Sequence, residues 1–243
     1  MDNKNAQGYH DLRYHPCRFG AGREAAKGGL CFAGPRSRTI VYIDGFNLYF
    51  GALKGTPHRW LDVSKFCSLM LPGNDVQAIK YFTALVTPRP DDPQQPIRQQ
   101  TYLRALNTLP GLSITLGHFL SHVVTMPLAR NCKGKTEYVR VIRTEEKGSD
   151  VNLAVHMLND AYQNRYDIAV IVSNDSDLVE AIRIVTMELG KRVGVLNPHR
   201  YPSRTLLAHA TFFKTIRKGV LQASQFNPIL RDQHGEFHKP DSW

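Results

Sequence analysis

The sequence predicts an α/β fold with a mainly parallel central sheet covered by helices on both faces, and three observations carry that prediction. Short β-branched runs alternate with longer stretches of helical periodicity along most of the chain. The two most apolar runs, residues 40–43 (IVYI) and 168–172 (IAVIV), show no polar alternation and read as strands buried on both faces. Each of them ends abruptly in polar turn residues, DG after the first and SNDSD after the second, as strands leaving the carboxyl edge of a parallel sheet do.

Residues 1–38 carry Lys4, Arg13, Arg18, Arg23, Lys27, Arg36 and Arg38 against Asp2, Asp11 and Glu24, with many glycines and little apolar periodicity. A flexible basic arm is expected there. The domain proper is expected over 39–230, with a tail over 231–243. After the strand at 40–43 come a helix over 64–71, a strand over 78–86 and a loop over 87–96. Pro88, Pro90, Pro93 and Pro96 forbid regular pairing in that loop. A helix over 97–109 leads to a strand over 112–119. Residues 120–142 hold two β-prone pieces around a basic, glycine-containing turn, which predicts an extended hairpin or lid. Val151, Ala154, Val155, Leu158, Ala161 and Tyr162 form the apolar stripe of a helix over 150–162. The strand at 168–172 and its turn at 173–177 follow, then a helix over 178–189 closed by Gly190. A strand over 193–196 and one or two closing elements within 205–223 complete the domain.

The formal charge of +10 over 243 residues favours polyanionic partners, because each neutralised phosphate releases counterions. No apolar run approaches the ~18 residues of a membrane span, and residues 1–20 have no apolar core resembling a signal peptide, so a cytoplasmic location is expected. Cys17, Cys31, Cys67 and Cys132 include no paired C-x-x-C, and His10, His15, Cys17 and Cys31 fit no standard finger spacing. Reduced thiols are expected. A G-x-G-x-x-G or Walker loop after a strand is absent, as is G-x-S-x-G, which argues against dinucleotide binding and serine hydrolysis.

Sites in open parallel sheets form beyond the carboxyl ends of the strands. The residues standing there are Asp44 and Asn47 after the first strand, and Ser173, Asn174, Asp175 and Asp177 after the fifth run. Asp150 joins them from a helix start. Singly, each has an ordinary role: Asp44 can begin a turn, Asp175 or Asp177 can cap a helix, and Asp150 suits a helix dipole. Together they form a set of like charges that a hard cation, Mg²⁺ or Mn²⁺, would neutralise.

The ordered motifs IDGFNLY, KGSDVNLAVHML and VSNDSDL resemble the NYN family, a branch of the PIN-like nuclease superfamily, over roughly residues 39–227. The stretch FFKTIRKGVLQASQF is similar to the family's closing segment. The resemblance implies a Rossmann-like three-layer α/β/α sandwich and divalent-metal hydrolysis of phosphodiesters, leaving a 5′-phosphate. It implies Asp44, Asp150, Asp175 and Asp177 as catalytic metal ligands, with Asn47, Ser173 and Asn174 supporting them. One departure is His156, where many relatives carry an acidic residue; a surface position is expected for it.

RNA is favoured over DNA as partner, and a homodimer is the base-rate expectation. Arg140 and Arg143, expected on one strand face, and Lys147 are candidate phosphate contacts, with Arg130, Lys133 and Lys135 at the hairpin tip. Tyr49, Phe50, Tyr102 and Tyr138 are candidates for stacking on bases. The alternative to a nuclease is a catalytically silent RNA-binding module on the same fold. An aspartate-nucleophile phosphatase is disfavoured, because Phe46 stands where that chemistry places a second aspartate.

Overall fold

The computed structural model describes residues 36–129 and 136–243. Most of the expected arm, the residues Arg130, Lys133 and Lys135, and Cys17, Cys31 and Cys132 lie outside the described residues. Among the described residues Cys67 is a free, buried thiol.

Seven strands form the central sheet: β1 (Arg38–Asp44), β2 (Asp75–Ala84), β3 (Leu112–Pro127), β4 (Tyr138–Lys147), β5 (Ile168–Val172), β6 (Arg192–Asn197) and β7 (Phe212–Thr215). Their spatial order is β4-β3-β2-β1-β5-β6-β7. Every pair is parallel except β3 with β4. The chain runs outward from β1 to β4, then returns across the sheet through helix α4 (Ser149–Tyr162) to lay β5 on the other side of β1. Strand order therefore reverses between β1 and β5, the place where an open parallel sheet leaves a crevice.

Alternation along the buried strands splits the core into two layers. Val41, Ile43, Tyr81, Val170 and Val172 face one side, where they meet Phe66 of α2 (Val63–Met70) and Tyr102 and Leu106 of α3 (Gln95–Leu106). Ile40, Tyr42, Phe82 and Ile171 face the other, against Leu153 and Met157 of α4 and Ile182 of α5 (Val179–Arg183). A helical turn, α1 (Gly45–Leu48), follows β1 at once. The arrangement is the three-layer α/β/α sandwich that the sequence leads one to expect.

Four stretches differ from expectation. The hairpin is longer: β3 and β4 pair continuously from His118↔Lys147 to Pro127↔Tyr138, forming a ribbon that extends beyond the parallel part of the sheet. Helix α4 is rotated in part from its expected face: Ala161 is buried and Ala154 and Leu158 pack against the core as expected, but the other three residues of the stripe do not. Val151, Val155 and Tyr162 are exposed, while Leu153, Met157, Asp160 and Ala161 point inward. Residues 205–223 hold three elements: α6 (Arg204–His209), the edge strand β7 and α7 (Lys218–Ala223). Finally, the segment expected as a tail contributes to a hairpin of β8 (Ile229–Asp232) and β9 (Gly235–His238). Phe237 is buried against the core, and Arg104 grips Asp232 through two hydrogen bonds of 2.7 Å.

The rotation of α4 has a local cause. Asp160 is fully buried, accepts from the Tyr42 hydroxyl at 2.7 Å and from Lys80 Nζ at 2.5 Å, and pairs with Arg165 at 3.1 Å. Burial opposes its charge, yet these donors hold its carboxyl below the usual range. Replacing Asp160 with Asn removes the anion that Lys80 and Arg165 share, and should cost about 3 kcal/mol in urea unfolding at neutral pH. The difference should narrow as the pH falls below the ordinary carboxylate range, where wild type protonates Asp160 and loses the same interaction. An unchanged unfolding midpoint would show that the buried ions do not hold the fold.

Candidate active site

Ile43 and Val172 are paired neighbours, so β1 and β5 deliver their next residues, Asp44 and Ser173, side by side. Asp44 is 4% exposed. One of its oxygens accepts from the Asn47 N–H at 2.9 Å, which starts α1; the other accepts from the Ser173 hydroxyl at 3.0 Å. Ser173 Oγ in turn accepts from the Asp175 N–H at 3.1 Å. This hydroxyl therefore ties the two strand ends together. Gly45 is required by close approach: a Cβ there would lie 2.7 Å from the Tyr81 ring.

Asn47 and Asn174 extend the frame. The Asn47 side-chain oxygen accepts from the Asn174 N–H at 2.9 Å and lies 3.0 Å from His199 Nε2. Asn174 accepts from the Ser203 N–H at 2.7 Å and donates to the Tyr201 carbonyl at 3.0 Å. Both amides thus hold the turns that follow β1, β5 and β6 in register.

Asp150 arrives from the β4–α4 junction. Gly148 adopts φ 100°, a left-handed conformation that glycine takes without strain, and it turns the chain from ribbon into helix. Glu146 closes that turn by accepting from the Ser149 N–H at 3.1 Å and hydroxyl at 2.7 Å. Gly117 of β3 makes room, since a Cβ there would stand 2.5 Å from Glu146 Oε1.

Asp44, Glu146, Asp150 and Asp175 line one cavity of about 490 Å³. Asp175 also performs its ordinary role, capping the turn Ser176–Leu178 by accepting from the Asp177 N–H at 3.0 Å. Asp177 is exposed and stands at the rim, outside the cavity lining, where its charge reaches Asp150. Burial, reinforced by Asp150 and Asp175, pushes the Asp44 carboxyl up to about 7 despite the bonds from Asn47 and Ser173. Burial and then Asp175, Glu146 and Asp177 push Asp150 up to about 6. The donor set is all oxygen, which suits a hard divalent cation. Among the described residues, no three His, Cys, Asp or Glu side chains stand close enough, as placed, to hold a metal ion.

The basic candidates separate. Opposed residues of β3 and β4 share a face, so Arg140, opposite Thr125, lies on the same face as Glu146 and Phe119. Arg143 and Lys147 lie on the other face, where both pair with Glu145. The expectation that Arg140 and Arg143 share a face fails because three residues is an odd step in a strand. His156 is half-buried rather than superficial, its ring edge-on to Phe82 at 5.4 Å, and it does not line the cavity. Tyr49, Phe50 and Tyr102 do line it, whereas Tyr138 is exposed on the ribbon.

Several lining residues carried no separate signal in the sequence. Glu146 was legible in principle, standing in the same EEKGSD stretch as Asp150. His199 follows β6 at the sheet's carboxyl edge and could have been found by the rule that found Asp44. Arg59, Arg89, Arg98 and Trp243 come from loops, a helix face and the last residue of the chain, and only the folded structure brings them together.

A model of the NYN domain matches residues 38–216. The chain belongs to the NYN domain family. NYN domains are part of the PIN-like nuclease superfamily and act on nucleic acid. This NYN domain is also 29% identical, over 240 residues, to the 6-hydroxy-3-succinoylpyridine 3-monooxygenase HspA of Pseudomonas putida (strain DSM 28022 / S16). That match covers 85% of this chain and 75% of the relative. Among solved structures, a protein of unknown function from Vibrio parahaemolyticus RIMD 2210633 superposes with a TM-score of 0.51 at 18% identity. The superposition covers 75% of this chain and 94% of that one, and supports the fold alone. No helix among the described residues is long and apolar enough to cross a membrane.

The raised pKa of Asp44 makes a claim about stability. Its folded value near 7 exceeds the ordinary 3.8, so its ionisation destabilises the metal-free fold progressively as the pH rises from about 4 through 7. In the presence of a chelator, Asp44→Asn should therefore be more stable than wild type at pH 8, by roughly 2–4 kcal/mol, and the gain should vanish near pH 4. Denaturant melts at the two pH values test this. A variant less stable than wild type at pH 8 would contradict it.

Proposed function

We propose that this NYN domain is a metal-dependent nuclease, most readily a ribonuclease, that hydrolyses phosphodiester bonds at the Asp44 cluster. The observation that carries the reading is the meeting of Asp44, Asp150 and Asp175 at one opening beside the β1/β5 switch point, with Asp177 at its rim. Asp44, Asp150, Asp175 and Asp177 would hold Mg²⁺ or Mn²⁺. When bound, such a cation acidifies a water and offsets charge on the phosphate oxygens.

The chain's own residues set the stage for that chemistry. Ser173 and the Asn47 N–H fix both oxygens of Asp44, so the carboxylate cannot rotate away from the opening. Asp150 and Asp175 each start a helical turn, which gives them rigid backbone positions. Burial keeps bulk water away from Asp44 and strengthens each of its interactions. The net charge of +10 favours a polyanionic substrate. By superfamily resemblance the product carries a 5′-phosphate.

A second reading is favoured by one feature, the volume of the cavity. The curated relative is named for monooxygenation of a substituted pyridine, and a recess of about 490 Å³ suits a small ring substrate as well as a strand. On that reading one oxygen atom of O₂ enters the ring and the other leaves as water, with two electrons from a supplied reductant. Oxygen uptake dependent on a hydroxypyridine and a reductant would favour it.

The nuclease reading is tested with purified protein, labelled single-stranded RNA and Mn²⁺. Wild type should cut, and Asp44→Asn and Asp175→Asn should each lose about 100-fold or more. Asn47→Ala, which loosens the frame, should lose about 10- to 100-fold. If wild type and the two aspartate variants leave the same trace of cutting, the nuclease reading fails and a silent binding module replaces it.

A further inference from the structure

Phosphodiester hydrolysis needs the carboxylate mouth of the cavity, but not the rest of it. From Asp44 the space continues between the turn after β1 and the first turns of α3, as far as Trp243. Its inner walls are aromatic: Tyr49, Phe50, Tyr102, Phe119 and Trp243. Rings at this density offer stacking faces to another flat ring.

The charge of the recess is opposite to that of its mouth. Arg59, Arg89 and Arg98 line it, against Asp92 alone on that side. Arg98 hydrogen-bonds Asp92, and Arg59 lies over the Trp243 ring at 5.8 Å. Arg59 also donates to the Ser242 carbonyl, and among the described residues neither Arg59 nor Arg89 forms an ion pair. α3 also begins at this wall with Gln95, adding the positive end of its dipole.

Gln95 supplies an independent sign. Its side-chain oxygen is buried and has no hydrogen-bond partner among the described residues, although the residue lines the cavity. Neighbouring Gln99 is satisfied, donating to the Ala84 carbonyl at 2.8 Å and accepting from the Val86 N–H at 2.9 Å. A buried acceptor left unpaired costs stability unless a ligand donates to it.

We infer that the recess is a binding site for a flat heteroaromatic ring carrying an anionic arm. The ring stacks among Tyr49, Tyr102 and Trp243, the arm reaches Arg59 and Arg89, and a ring N–H or O–H donates to Gln95. Two sources supply this chemistry: one unpaired nucleotide drawn out of a strand, or a free ring carboxylate. As a substrate subsite the recess rests on the function proposed above; as a binding site it does not.

The chain's two tryptophans, Trp60 and Trp243, stand 6.4 Å apart, so intrinsic fluorescence reports occupancy directly. The full chain with chelator is titrated with uridine 5′-monophosphate, 6-hydroxypyridine-3-carboxylate, uridine and inorganic phosphate, with calorimetry in parallel. At least one ring anion should bind saturably, and uridine and phosphate should bind at least about tenfold more weakly. Tighter binding of the nucleotide assigns the recess to a strand; tighter binding of the carboxylate assigns it to a free ring acid. Arg89→Gln should weaken the preferred ligand about tenfold. Gln95→Leu should weaken it while leaving the unfolding midpoint equal or higher. Asp44→Asn should retain it, so loss of cutting and loss of ring binding fail separately. No saturable signal or heat from either ring anion, or equal binding of inorganic phosphate, overturns the inference.

Discussion

Everything at this site depends on carboxylates being held together where water cannot fully screen them. Asp44 sits at the junction of two buried strands, and its position follows directly from their hydrogen-bonded register. Asp150 and Asp175 then approach from a helix start and a turn, each fixed by backbone geometry rather than by side-chain choice. Burial first, and the neighbouring like charges after it, raise the proton affinity of Asp44 to about 7 and of Asp150 to about 6, so both carboxyls change charge near neutral pH. Such a cost is tolerated where function needs the arrangement.

The surrounding polar residues make sense in that light. Ser173, Asn47 and Asn174 use their hydrogen bonds to join the turns after β1, β5 and β6. The prearranged frame limits the freedom of Asp44 before any ligand arrives. Glu146 and Ser149 do the same at the β4–α4 junction.

Much of this was legible in the sequence for physical reasons. β1 and β5 announced themselves because a strand buried on both faces has no polar alternation, and a polar residue directly after such a strand has to sit at the sheet edge. The face of α4 was misread because its inward stripe of Leu153, Met157 and Asp160 contains a charge, which apolar periodicity counts as outward. Only Lys80, Tyr42 and Arg165, distant or outside the helix, make that charge acceptable inside. The recess was invisible for a related reason. Arg59, Arg98 and Trp243 gain meaning from the docking of the β8–β9 hairpin onto α3 through Arg104 and Asp232, a pairing between residues 128 positions apart. The hairpin of β3 and β4 is legible as two β-prone pieces, but its length follows from a register that composition does not encode, whereas the opposite faces of Arg140 and Arg143 follow from strand alternation alone.

On the proposed function, these aspartates form a cation site whose occupancy requires them to ionise. Calorimetric titration of Mn²⁺ into the metal-free protein at pH 6.0 and pH 8.5, each in two buffers of different ionisation enthalpy, measures that coupling directly. Saturable binding is expected with release of protons at pH 6.0, where Asp44 and Asp150 are still partly protonated, and with little release at pH 8.5. Absence of saturable Mn²⁺ binding at either pH, or binding without proton release at pH 6.0, would contradict it.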